Sequence, residues 1–262
     1  MDAIKEIVSR YDYMEMRRGN WDTHYQELAD YMLPRKADIV RKRSRGEKRM
    51  ELIFDGTALQ AVDLLSASLH GMLTSGATPW FHLAMKDPDI GRNDDVQRWL
   101  EDSSKRMIRA FNQSNFETEV HELYVDLVVF GTGCMFVEMD GSELRFSTRH
   151  ISEFYIAENQ FGLVDTVFRK YKIPARQAVQ RFGLENVGEF IAKKFQKNPD
   201  EDVTMLHAVL PRTERDPQKV DNLNMPFASV YICMQTKMPV SISGFEEFPY
   251  IVPRFLKATG EV

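Results

Sequence analysis

The feature that most constrains this chain is a change of period between Gly131 and Cys134. Upstream, apolar residues recur every three or four positions; downstream they alternate every two. A segment patterned for one period cannot bury its apolar side in the other conformation, so the sequence predicts an α+β fold. It divides into a helical layer over residues 1–130 and a β-rich module over residues 131–262, with a short helical insertion at about 174–197.

In the helical half, Ile4, Ile7, Val8 and Tyr11 mark one amphipathic helix. Trp21, Tyr25, Leu28, Ala29 and Met32 mark a second, stopped by Pro34. Asp55 is placed to cap a helix carrying Ala58, Ala61, Val62, Leu65, Leu69 and Met72. Asn93 or Asp94 caps the next, through Val96, Trp99, Leu100, Met107, Ile108 and Phe111, and Asn115 opens another that ends at Gly131. In the second half, Cys134 to Met139 and Leu144 to Ser147 flank Asp140-Gly141, a pair that tolerates the positive φ of a hairpin turn. Phe154 to Ala157, Leu163 to Lys172, Val203 to Leu210 and Ala228 to Thr236 read as strands, the last two as a long hairpin. Pro174 opens the inserted helix and Gly183 closes it; Phe190, Ile191 and Phe195 mark a second short helix. Phe245 to Phe255 sets Pro249 and Pro253 among aromatics, and no repeat or low-complexity tract is present.

With 43% hydrophobic, 28% charged and 11% aromatic residues, the 262-residue chain has the composition of a folded protein of one large or two ordinary domains. Thirty-nine acidic against 34 basic residues exclude a generic polyanion binder. Positive charge is concentrated instead in Arg35, Lys36, Arg41, Lys42, Arg43, Arg45, Lys48 and Arg49, opposed only by Asp38 and Glu47, and this segment is expected to be an exposed loop or arm. Two cysteines, Cys134 and Cys233, build no disulfide framework, so a reducing compartment is expected. The first ten residues lack the apolar stretch of a signal peptide, and runs such as Leu127 to Phe130 are too short to span a bilayer, so a soluble protein without membrane contact is expected. The last residues, Gly260-Glu261-Val262, form neither helix nor polar tail, and the chain is expected to be cut short.

Tests for chemistry find no catalytic, metal or cofactor set. His121-Glu122 begins a zincin-like string, but Val125 stands where the second histidine belongs. Gly131-Thr132-Gly133 follows a helix, and Phe136 occupies the third glycine position of a dinucleotide loop. Ser66, Ser68 and His70 lie inside a helix rather than on a nucleophile elbow, and no Gly-Lys-Ser or Gly-Lys-Thr string exists. Asp94-Asp95 and Glu246-Glu247 read as a helix start and a solvated edge. The basic segment could neutralise phosphates or simply face acidic neighbours; it lacks the interleaved aromatics of a single-strand binder. Methionine and tryptophan on helix stripes are most often core.

Several strings, taken in order, resemble the head-to-tail connector, or portal, proteins of short-tailed bacteriophages. They are Thr78-Pro79-Trp80-Phe81-His82-Leu83, Val128-Val129-Phe130-Gly131-Thr132-Gly133-Cys134 and Phe161-Gly162-Leu163-Val164-Asp165-Thr166-Val167. Leu206 to Arg212 and Phe248-Pro249-Tyr250-Ile251-Val252-Pro253-Arg254-Phe255 complete the set. The resemblance covers nearly the whole chain and matches that family's N-terminal portion, the outer wing, before the stem, clip and crown. It implies a ring of this chain, a dodecamer, at one capsid vertex, through which double-stranded DNA is packaged by a separate terminase and later ejected. Capsid and scaffold proteins and tail adaptor proteins are implied partners, with the virion as location and the host cytoplasm as place of assembly. No enzymatic activity and no cofactor are implied.

A conduit should not grip DNA, so the basic segment is expected to face a neighbouring subunit, capsid or scaffold. A ring also needs two complementary faces on each subunit, for which Trp21, Tyr25, Trp80 and Trp99 are the candidate aromatics. Two other readings stand beside this one. A DNA-binding packaging adaptor or nuclease-like factor would use the basic segment on DNA, and a helical partner-binding module of a host protein would be a monomer.

Overall fold

A computed structural model describes residues 2–44, 46–219 and 221–256 of the chain. The helices are α1 (Asp2–Met32), α2 (Thr57–Leu73), α3 (Pro88–Gly91), α4 (Asp94–Gln113), α5 (Phe116–Phe130), α6 (Ala175–Phe182) and α7 (Gly188–Lys197). The strands are β1 (Met135–Asp140), β2 (Glu143–Thr148), β3 (Phe154–Glu158), β4 (Val164–Pro174), β5 (Asp202–Pro211), β6 (Phe227–Cys233), β7 (Met238–Phe245) and β8 (Tyr250–Ile251). The fold is α+β, with all strand pairing antiparallel.

Two compact units share the chain. Unit 1 takes residues 1–24, 152–249 and 258–262; unit 2 takes residues 25–151 and 250–257. They are therefore interleaved, whereas the helical-then-β division at residue 130 describes only the order of elements.

In unit 1 the strands run β3-β4-β5-β6-β7. Side chains of the central strand β5 alternate between two apolar clusters. Val203 and Met205 join Ala175, Ala178, Val187 and Ile191 of α6, α7 and their connection. Leu206 and Ala208 join Ile7, Val8 and Tyr11 of α1. A strand buried on both faces must be apolar at nearly every position, and Met205-Leu206-His207-Ala208-Val209 is. Tyr11 meets Tyr155 edge to face at 5.1 Å, and Arg18 donates to the Phe154 carbonyl with its guanidinium 3.9 Å from the centre of the Tyr155 ring.

Unit 2 packs α2 and the β1-β2 hairpin against α5, through Val120, Leu123, Tyr124, Met135 and Phe146 with Leu69, Phe111, Phe116 and Leu127 around them. Gly131 ends α5 in the left-handed region at φ 74°, as a C-terminal glycine should. A Cβ at Gly133 would lie 2.6 Å from Leu123 Cδ1, so any other residue there would have to push the tip of that side chain aside. The joint is clamped by the late segment: Phe255 N donates to Gly131 O at 2.8 Å and Gly133 N to Pro253 O at 3.3 Å. The outer edge of β2 is closed by helix side chains. Asn115 accepts from Phe146 N and donates to Phe146 O, and Glu119 accepts from Thr148 N.

Three sequence expectations change. The two helices expected at the N-terminus are one, α1. A mid-helix glycine costs about 1 kcal/mol, too little to break it without a proline, and the Arg18–Asp22 pair at 2.8 Å bridges Gly19. The carboxylate of Asp55 does accept from Thr57 N, but from one residue before the cap, which is Gly56. β7 and β8 were not anticipated: Val240-Ser241-Ile242-Ser243 does alternate as a strand should, but Pro239 and Gly244 bracket that short run, and β8 has only two residues. A proline is tolerated there because β7 is an edge strand.

Candidate functional site: a basic segment held over buried carboxylates

The basic segment follows α1 in unit 2. It starts as a single 3-10 turn, Pro34–Lys36, and continues as irregular chain. An irregular backbone needs partners for its amides, and one buried side chain supplies them. Gln26 Oε1 accepts from the successive amides of Ile39, Val40 and Arg41 at 3.1, 2.8 and 3.1 Å. Its Nε2 donates to Ala37 O at 2.6 Å and to Asp30 Oδ1 at 3.0 Å. The segment is thus fastened to the last turns of α1.

Three of its cations are consumed internally. The Arg43 guanidinium donates to Ala37 O at 3.0 Å and to the buried Asp30 carboxylate at 3.3 Å. Arg49 donates from both Nε and Nη2 to one oxygen, Asp38 Oδ2, at 3.2 and 2.5 Å. Lys36 Nζ lies 2.7 Å from Asp126 Oδ1 and 3.7 Å from Glu122, while its carbonyl meets His150 Nε2 at 2.9 Å. Asp126 is only 2% exposed at its side chain, and its Oδ2 has no hydrogen-bond partner among the described residues. Burial pushes its carboxyl up to about 6, outweighing the pull of Lys36. Burial acts upward on Asp38 too, but there Arg49 and Arg43 outweigh it and the carboxyl falls below its usual range.

The remaining cations face solvent. Arg35, Lys42 and Lys48 are exposed, and Arg41, 64% exposed, has only a 3.7 Å approach to Asp30. Arg45 lies outside the described residues. The expected arm is therefore a tethered, partly neutralised segment with an outer row of Arg35, Arg41, Lys42 and Lys48, suited to meeting phosphates or an acidic protein surface.

The four candidate aromatics separate in kind. Trp21 is half-buried, edge-on to His24 at 6.3 Å, and Tyr25 packs on Phe130 at 5.7 Å. Trp80 stacks on Phe116 at 5.8 Å inside a cluster with Phe81 and Phe111. Trp99 on α4 is 65% exposed.

Sequence reasoning passed over one pair that looks chemical. His207 Nε2 lies 3.0 Å from Ser229 Oγ, with His207 stacked on Tyr231 at 4.0 Å and Arg181 donating to the Tyr231 hydroxyl. Both members of the pair are at most 2% exposed, in the middle of the unit 1 sheet, so a substrate cannot reach the serine. His121 packs against His70 at 5.5 Å, and among the described residues no cluster of three or more His, Cys, Asp or Glu could hold a metal ion. Among the same residues no helix is long and apolar enough to cross a membrane.

Residues 4–262 match the family of bacteriophage head to tail connecting proteins, and the chain belongs to that family. It is 32% identical over 264 residues to the probable portal protein of Bordetella phage BPP-1, covering 98% of this chain and 47% of that one. It is 33% identical over 256 residues to the portal protein of Salmonella phage epsilon15, covering 96% and 46%. The chain spans about half the length of the curated relatives it matches.

Proposed function

We propose that this chain is the wing portion of a portal: a structural, non-enzymatic subunit of a homo-oligomeric ring, a dodecamer, at one capsid vertex. Double-stranded DNA passes through the ring, driven inward by a separate terminase and released later through the tail. The match over residues 4–262 carries this reading, and the relatives named above are a portal protein and a probable portal protein, which favours it over a DNA-binding adaptor. The net charge of −5 also supports it, since a conduit that bound DNA tightly would stall it. Capsid and scaffold proteins, the terminase and tail adaptors are its partners, in a virion assembled in the host cytoplasm.

In this reading the outer row Arg35, Arg41, Lys42 and Lys48 meets an acidic surface of the next subunit, the capsid or the scaffold. Native mass spectrometry and electron microscopy of the full-length protein test the ring. A closed ring of about a dozen copies is expected; a stable monomer or dimer overturns the reading. Alanine at the four outer cations should impair assembly and leave DNA binding unchanged, whereas a loss confined to DNA affinity would give the segment to an adaptor role.

A further inference from the structure

Within unit 2, helices α2 and α5 bring together two histidines that the sequence holds far apart. His70 on α2 and His121 on α5 have their ring centres 5.5 Å apart, with the planes inclined at 37°. Both are half-buried, so each keeps some surface in solvent. Neither imidazole has a hydrogen-bond or ion-pair partner among the described residues. Tyr124 packs beside His70 at 6.2 Å, but its hydroxyl is 3.2 Å from Thr74 Oγ1. A neutral imidazole keeps one ring nitrogen as an acceptor and metal ligand, so the pair offers two nitrogen donors that no protein group engages.

The charge carried by these two helices is of one sign. α2 and α5 together hold five carboxylates, Asp63, Glu117, Glu119, Glu122 and Asp126, and no lysine or arginine. Lys36 engages Asp126 and approaches Glu122, and Glu119 accepts from Thr148 N. Glu117 has no such partner among the described residues and stands one turn before His121 on the same face of α5. Its Oε1 lies 3.2 Å from where a Cβ on Gly76 would sit, so the carboxylate hangs over the chain that leaves α2. His70 itself occupies the last turn of α2, where the helix dipole favours a cation. Both terms draw positive charge toward the histidine pair.

We propose that His70 and His121 bind one divalent transition-metal ion of the zinc, nickel or copper class, and that the ion pins the last turn of α2 to α5. Two imidazoles that share one tetrahedral ion, each bound at about 2.0–2.1 Å, hold their ring centres roughly 5 Å apart, close to the 5.5 Å found. Imidazole nitrogen suits zinc, nickel and copper, whereas magnesium and calcium take oxygen ligands. Water fills the other positions, since among the described residues no third His, Cys, Asp or Glu completes a metal-holding group with the pair. An ion with two protein ligands exchanges with solution, so the site follows the free-ion concentration. The unfolded chain separates residues 70 and 121, so the chelate exists only in the folded unit, and binding stabilises that unit by mass action.

The test uses the full-length protein, stripped with a chelator and dialysed at neutral pH. Zinc at about 0.1 mM should raise the midpoint of thermal unfolding by about 2–4 °C, and nickel should act likewise. Magnesium at the same concentration should not. His70→Gln and His121→Gln, each compared with its own metal-free midpoint, should lose the shift. His121→Cys supplies another zinc ligand and should keep it; loss there would make His121 a packing residue and overturn the proposal. No shift in the wild type, an equal shift with magnesium, or a shift that survives in both glutamine variants would overturn it too. Hydrogen exchange of the wild type needs no variant to fold. Zinc should slow the amides in the last turn of α2 and leave those of β5 as they were, and unchanged exchange in α2 would contradict the proposal.

Discussion

Unit 1 and unit 2 are of similar size but close their cores differently. Nine of the twelve largest fully buried side chains belong to unit 1, among them Tyr11, Phe168, Leu206 and Ile232; unit 2 has Phe136, Met135 and Val62. Among the described residues unit 2 leaves sixteen large apolar side chains exposed and unit 1 eight. A sheet covered on both faces buries its inner strands on two sides, as β5 does. A helical layer packed from one side leaves a stripe on each helix that is uncovered among the described residues. The difference puts the tighter packing in unit 1, and in the ring reading proposed above the exposed apolar side chains of unit 2 are what assembly covers.

The comparison breaks most visibly in the core of unit 1. Phe168→Ala removes a fully buried ring and should cost about 3–5 kcal/mol in urea unfolding. A loss below about 1 kcal/mol would mean that the sheet does not carry the fold.

Next comes Asp126 beneath the basic segment. Its carboxyl sits at about 6 in the folded chain against roughly 3.9 unfolded, so the native state binds more protons between those values. Stability from this group is therefore greatest below pH 4 and is lost as pH rises through 6, by about 3 kcal/mol in all. Asp126→Asn abolishes that loss. The variant should gain on the wild type by this amount between pH 4 and pH 7, less what Lys36 forfeits; parallel stability curves would show that the carboxyl is not perturbed.

A smaller effect is expected at Gln26. Gln26→Ala leaves the amides of Ile39, Val40 and Arg41 without their acceptor and should cost about 1–3 kcal/mol. Hydrogen exchange at those three amides should accelerate before that of β5. Smallest of all, Leu65→Ala on the outer face of α2 should change the unfolding free energy of unassembled protein by less than about 0.5 kcal/mol. A large loss would place Leu65 in a core and erase the contrast between the units.

Much of this was legible in the sequence. The period switch, the cap at Asn93, the stop at Gly131 and the β5-β6 hairpin follow from local rules, because each depends on residues near in sequence. What escaped depends on distant partners. Gln26 and Asp30 read as polar positions beside the apolar stripe of α1, though they anchor a segment that begins several residues later. Asp126, alone in the run Tyr124-Val125-Asp126-Leu127-Val128, was the available signal: a carboxylate on an apolar helix needs a cation, and the basic segment was the nearest supply. His207 within an apolar strand was a second signal of that kind. The interleaving of the units was not legible, since Tyr250-Ile251 returns to pair with β1 across more than a hundred residues of chain.

The most direct test of the account is oxidative footprinting of the full-length protein, assembled and dissociated, read at Leu64, Leu65 and Met72 of unit 2 and at Met16 and Phe161 of unit 1. The account predicts that assembly protects the three α2 positions and leaves the two unit 1 positions as reactive as before. Equal reactivity of α2 in both states, or protection confined to unit 1, would contradict it.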